Sequence, residues 1–202
     1  MTKTAYGFET LRVDPDSLDA TFTTRNGLLI RCRLIQPVDT HLLIDLFSRL
    51  SPASRRRRFN VPLENIDASR IEEEAQRLAA VDNSTVGGAI LAFAQQPDGK
   101  ELIGVARLGR FPSEPASPEA EAALVVRDDF QGQGVGSALL ALLALLAHRM
   151  NVLTLTASVQ ADNEALFVLL RNLHLPLQRH TTRGETSISL TVADIPTPKN
   201  RA

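Results

Sequence analysis

The residues best placed to do chemistry are Gln131-Gly132-Gln133-Gly134-Val135-Gly136, followed at once by Ser137 and a long apolar run. Glycine lets a backbone approach a ligand closely and adopt positive φ. Successive amide N–H groups at the start of a helix, added to its positive end, hold an anion such as a pyrophosphate. A Walker loop would need Gly-Lys-Ser/Thr after four intervening residues, and that lysine is missing. A dinucleotide fingerprint fails too, because Gly132-x-Gly134 meets Ser137 where its third glycine belongs. The plain alternative is a tight strand-to-helix turn without a ligand, although three glycines exceed what such a turn requires.

Other reactive groups are sparse. Cys32 is the single cysteine, which rules out an internal disulfide or a CxxC metal site, and its alternating apolar setting suits a buried, inert thiol. The four histidines, His41, His148, His174 and His180, lack HxxH or HxxxH spacing, so no metal is expected. Arg55 to Arg58 form a basic segment that either lines a binding groove, meets phosphates, or is a solvated face. Asp162 and Asn163 precede a helical pattern, where either makes a good N-cap.

The elements that must position the glycine loop follow from periodicity. Ala20 to Thr24, the turn Asn26-Gly27 and Leu28 to Ile35 read as a hairpin. Leu42, Leu43, Leu46, Phe47 and Leu50 follow helical spacing after Pro37, and Ser51-Pro52 stops that helix. A second helix is predicted over about Asp67 to Ala80. Strands are predicted over Gly87 to Ala94, Leu102 to Leu108, Ala120 to Arg127 and Val152 to Ser158. Pro97-Asp98-Gly99 reads as a turn, and the proline-rich Pro112 to Pro118 as a loop. Gly136 to Arg149 is apolar all round, as for a helix buried against a sheet, and Glu164 to Leu173 is helical. Leu177 to Val192 holds two short strands around Arg183-Gly184. Along the strand before the loop, alternation puts Glu121, Ala123 and Val125 on one face. These elements imply an α+β fold with a central mixed sheet flanked by helices: an irregular arm over 1–20, one domain over 21–194 and a flexible tail over 195–202.

Composition narrows the function. The 202 residues carry a net charge of -1, which argues against nucleic-acid or membrane partners, and 4% aromatics with no Trp leave little for base stacking. Met1 to Asp19 shows no secretory signal and the longest apolar run, Ala138 to Ala147, is too short to span a bilayer, so a cytoplasmic protein is expected.

The pattern Gln-x-x-Gly-x-Gly between a strand and an apolar helix resembles the acetyl-coenzyme A loop of GNAT N-acetyltransferases, with Gln131, Gly134 and Gly136 at its defining positions. Leu50-Ser51-Pro52-Ala53-Ser54-Arg55, Arg58-Phe59, Val81-Asp82, Gly104-Val105-Ala106-Arg107 and Ala120-Glu121-x-Ala123 are similar to the catalytic domain of Pat-type bacterial protein-lysine acetyltransferases. The resemblance implies acetyl-CoA held by Leu124, Val125, Val126, Gln131, Gly132, Gln133, Gly134, Val135, Gly136, Ser137 and Asn163, with no metal. Backbone amides at Leu124 to Val126 would meet the thioester carbonyl. Glu121, ten residues before Gln131, stands where those enzymes have their catalytic glutamate; a solvated carboxylate at a strand start is the alternative. Asn163 matches a cofactor-contacting asparagine. The implied acceptor is an amine, either a protein lysine or a small molecule, and the resemblance leaves room for a homodimer without marking an interface. The tyrosine that serves many relatives as general acid falls at Leu170, and the usual Gly-Phe pair is His174-Leu175. This departure keeps a non-catalytic acyl-CoA-binding sensor open as a rival reading.

Overall fold

The computed structural model describes residues 10–59, 67–96, 99–176, 178–182 and 184–198. The expectations for Tyr6 and the rest of 1–9, for the side chains of Arg58 and Phe59, for Pro97-Asp98, Leu177 and Arg183, and for 199–202 lie outside them.

Among the described residues, nine strands form one mixed sheet. In chain order they are β1 (Arg12–Val13), β2 (Ala20–Thr23), β3 (Leu29–Leu34), β4 (Gly87–Gln96), β5 (Gly99–Gly109), β6 (Glu119–Val126), β7 (Thr154–Gln160), β8 (Gln178–Thr182) and β9 (Glu185–Thr191). Their spatial order is β1-β2-β3-β4-β5-β6-β7-β9-β8. Every neighbouring pair is antiparallel except β6 and β7, which run parallel. Within the segment expected as an arm, Arg12–Val13 pairs with β2, and Leu11 and Leu18 are buried.

Five α-helices among the described residues cover the sheet: α1 (Thr40–Arg49), α2 (Pro52–Phe59), α3 (Ala68–Ala79), α4 (Val135–Arg149) and α5 (Glu164–Asn172). Alternation along β4 divides the core. Ile90, Ala92 and Ala94 face α4, whereas Ala89, Leu91 and Phe93 face α1 and α3. The all-round apolarity of α4 has its reason here, since eleven of its fifteen residues are buried. Leu139, Leu142, Leu143 and Leu146 are each almost wholly removed from water. Each such side chain contributes about 1.5–3 kcal/mol of transfer free energy. Cys32 is buried as expected, and loss of solvation pushes its thiol up to about 12.

The segment read only as basic is helix α2. Ser51-Pro52 does end α1, but it also begins the next helix. The Ser51 hydroxyl accepts the Ser54 N–H at 3.1 Å, and Pro52 occupies the first helical position, where its missing N–H costs nothing. At the entrance to α1, the Arg33 guanidinium grips the buried Asp39 carboxylate through two bonds of 2.7 Å. Asp39 also accepts the Gln36 N–H at 2.7 Å. Burial would raise the Asp39 carboxyl, but these partners outweigh it and hold it below the usual range. Among the described residues, no helix is long and apolar enough to cross a membrane.

Candidate functional site

The parallel pair β6 and β7 is bonded only briefly. Glu119, Ala120 and Glu121 pair with Thr154, Leu155 and Thr156, and there the ladder ends. β6 continues to Val126 alongside β5, while β7 continues to Gln160 alongside β9. The two strands diverge, and between them opens a cavity of about 1230 Å³.

Hydrogen-bond alternation decides which backbone groups face that opening. The Arg127 N–H donates to the Ile103 carbonyl at 2.8 Å, which makes 127 and 103 a bonded pair in the β5–β6 register. Two-residue alternation then turns the Val125 N–H toward β5 and the N–H groups of Leu124 and Val126 toward the opening. The Val126 carbonyl agrees with this, since it accepts the Gln131 side-chain amide at 2.9 Å.

At the far end of the strand the chain makes a short 3-10 turn over Asp128–Phe130 and enters the glycine loop. Gly132 and Gly134 take φ of +71° and +96°, left-handed values that side chains disfavour. Gly134 is the N-cap of α4 and makes no side-chain cap. The first-turn N–H groups of α4 are thus left for a ligand. Gly136 is different, because a Cβ there would meet Leu169 at an ordinary 3.5 Å.

Helix α2 locks this loop from outside. The Asp128 carboxylate accepts the Ser51 N–H at 3.0 Å, the Ser51 hydroxyl at 2.8 Å and the Ser54 hydroxyl at 2.7 Å. The Gln131 amide reaches Ser54 Oγ at 3.3 Å. Burial acts to raise the Asp128 carboxyl, but the Ser51 N–H and the two hydroxyls prevail and hold it below its ordinary value.

Of the residues expected around the cofactor, Leu124, Val125, Val126, Gln131, Gly132, Gly134, Gly136, Ser137 and Asn163 all line the cavity. Gln133 and Val135 are not among its lining: the Gln133 side chain donates back to the Asp129 carbonyl at 2.7 Å, and Val135 is buried in the core. Asn163 is also the N-cap of α5, its side-chain oxygen accepting the Leu166 N–H at 3.3 Å. Leu170, where a tyrosine was sought, is buried and lines the same cavity.

Glu121 is exposed and belongs to a smaller recess of about 560 Å³, with Phe111, Thr156, Ser158 and His180. The two recesses share Ala157, Ser158 and Ile188, so the recess that holds Glu121 adjoins the large cavity. Arg25, Ser54, Arg57, Arg171 and His174 also line the large cavity, and among the described residues its lining contains no Asp or Glu. Arg57 belongs to the basic segment Arg55 to Arg58, for which a groove or phosphate role was one expectation; the other four come from distant elements, and no local pattern marks their convergence. No group of three metal-ligating side chains occurs among the described residues.

Comparisons with known proteins agree with this architecture. The fold is similar to the GNAT domain of PAT from S. lividans, at 24% identity and a TM-score of 0.73 over 86% of this chain and 96% of that one. It is also similar to the PaiA N-acetyltransferase of Thermoplasma acidophilum in complex with coenzyme A, at 16% identity and a TM-score of 0.60 over 80% and 98%. A cAMP-binding acyltransferase from Mycobacterium smegmatis matches at 21% identity and a TM-score of 0.58, over 88% of this chain but only 49% of that one. No curated protein sequence matches the chain. The family model described as Acetyltransferase (GNAT) family matches residues 60–171. That match spans more than half of the sequence, and the chain belongs to the acetyltransferase (GNAT) family.

Proposed function

We propose that this protein transfers an acetyl group from acetyl-CoA to a protein lysine by direct attack of the amine on the thioester. Members of the family use acyl-CoA as donor. The observation that carries the reading is the divergence of β6 from β7 after Glu121, opening a cavity that runs to the uncapped start of α4. The glycine loop and first turn of α4 hold the pyrophosphate. The N–H groups of Leu124 and Val126 hold the thioester carbonyl and then the oxyanion.

A lysine ammonium has a pKa of about 10.4, so it must lose a proton before its nitrogen can attack. Glu121, in the adjoining recess, accepts that proton, directly or through water. The nitrogen then bonds to the carbonyl carbon, the tetrahedral intermediate collapses, and the C–S bond breaks. A thiol with a pKa of about 8.5 is a tolerable leaving group, so Leu170 does not prevent turnover. Protein lysine as acceptor rests on the Pat-type sequence features around Ser51, Asp82, Gly104 and Glu121, and on the likeness to the S. lividans domain. We place the catalytic domain at 21–194, with the short strand Arg12–Val13 and the buried Leu11, Leu18, Ala20 and Ile195 packed into the same core.

The apolar Leu170 also favours a second reading, a sensor that binds acyl-CoA without turnover. Calorimetric titration with acetyl-CoA, followed by thiol release with lysine peptides and small amines, separates the two. Binding with peptide-dependent release supports the enzyme, and release with small amines alone moves the acceptor class. Binding without release selects the sensor, and no binding removes both.

A further inference from the structure

Coenzyme A carries a pyrophosphate and a 3′-phosphate, yet Gln131 to Ser137 contains no lysine or arginine. The nearest arginine in sequence, Arg127, is committed elsewhere. Its Nε and Nη2 each bond Asp129 at 2.7 Å, and its Nη1 lies 2.6 Å from Glu101. The loop itself therefore supplies no side-chain cation, and any cation must arrive from another element.

The turn between β2 and β3 supplies one. Thr24 is buried and holds the turn closed: its N–H donates to the Leu28 carbonyl at 2.9 Å and its hydroxyl accepts the Leu28 N–H at 3.0 Å. The Gly27 N–H returns to the Thr24 carbonyl at 3.0 Å, with Gly27 at φ +81°. This turn docks on the glycine loop, where the Arg25 N–H donates to the Gln133 carbonyl at 3.3 Å. Arg25 lines the large cavity together with Gly132 and Gly134. Its position is fixed by a backbone bond to the same loop that presents the anion-binding N–H groups.

We propose that Arg25 pairs with a phosphate group of acyl-CoA, so that the donor site is shared between the glycine loop and the N-terminal hairpin. The inference rests on the acyl-CoA reading of the cavity and adds to it a specificity-determining residue 106 positions upstream of Gln131. Guanidinium suits this task because its donors match phosphate geometry and its charge persists at any working pH.

The test is calorimetric titration of wild type, Arg25→Gln and Arg25→Lys with acetyl-CoA and with its 3′-dephospho analogue. Arg31→Gln, an exposed charge in the same hairpin outside the cavity lining, controls for net charge. Losing a charge-assisted bond is expected to raise the Arg25→Gln dissociation constant on the order of tenfold, with Arg25→Lys between it and wild type. A loss confined to acetyl-CoA assigns the 3′-phosphate, and an equal loss with both ligands assigns the pyrophosphate. Unchanged affinity in Arg25→Gln, or an equal loss in Arg31→Gln, overturns the pairing while leaving the cavity reading intact. If wild type binds neither ligand, the cavity reading itself has failed and takes the proposal with it.

Discussion

The two halves of β6, Glu119–Glu121 and Ala122–Val126, follow one another on a single strand and meet different surroundings. Over Glu119–Glu121 the strand is paired with β7, and at Glu121 with β5 as well; over Ala122–Val126 it is paired only with β5. In the first half Ala120 is sealed beneath the sheet's apolar cover, whereas in the second every residue is part-exposed to the cavity. A backbone N–H left unpaired in a dry interior costs about 1–3 kcal/mol. The open half persists because its free groups face a space that water or ligand can enter. In this sheet, the place where the ladder is given up is the place where a thioester would be bound.

That contrast is broken most severely by the same substitution made on either side of it. Ala120→Asp puts an unpartnered carboxylate at the one buried position of the half paired with β7 and is expected to cost roughly 3 kcal/mol or more. A melting temperature within two or so degrees of wild type would remove the distinction between the halves. Gly134→Asp, at the mouth of the open half, is expected instead to keep the fold and abolish acetyl-CoA binding. It sets a negative charge where the pyrophosphate is proposed to lie and forces a side chain into a left-handed backbone. Retained affinity in calorimetry would count against the phosphate site.

Glu121 stands at the boundary, its backbone in the last bonded pair and its side chain in the recess beyond. Glu121→Gln is expected to lower kcat about 100-fold or more, the usual range for removing a general base, with acetyl-CoA affinity unchanged. A wild-type rate in a variant that still binds would take the base assignment away.

Asp128 sharpens the comparison further, because it ties α2 to the end of the open half. Its carboxyl is held below the ordinary value in the folded protein, against burial, by the Ser51 N–H and the two serine hydroxyls. The folded pKa is therefore lower than the unfolded one, so this contribution is present above a pH of about 4 and fades as pH falls through the folded value. Asp128→Asn is expected to cost about 1 kcal/mol at neutral pH, since solvent screens this exposed group, and to flatten the acid limb of the stability profile. Identical acid limbs in thermal melts of the two proteins would contradict the role given to Asp128.

Much of this was legible in the sequence because it is local. The turn at Asn26-Gly27, the apolar run of α4 and the glycines before it each announce themselves within a few residues. The glycine loop and its flanking strand could be placed for the same reason. Ser51-Pro52 was read as a stop and is also a start, since a serine before a proline carries both signals. The docking of Arg25 on Gln133, the Ser51 and Ser54 bonds to Asp128, and the early end of the β6–β7 ladder are tertiary facts. They depend on which distant elements meet, and periodicity is silent on that.

Asn163 tests the smallest difference, between a residue that holds ligand and one that holds a helix. Its side-chain oxygen caps α5 at Leu166, and the residue also lines the cavity. Asn163→Ala removes both roles and is expected to cost about 1 kcal/mol of stability. Asn163→Asp separates them, because Asp caps as well as Asn but adds a negative charge and removes the amide donor. If Asn163 only caps, Asn163→Asp melts like wild type and binds acetyl-CoA like wild type. If its amide also serves the coenzyme, Asn163→Asp keeps its melting temperature and loses severalfold in affinity. A loss of stability equal to that of Asn163→Ala would show that the cap depends on more than the side-chain oxygen.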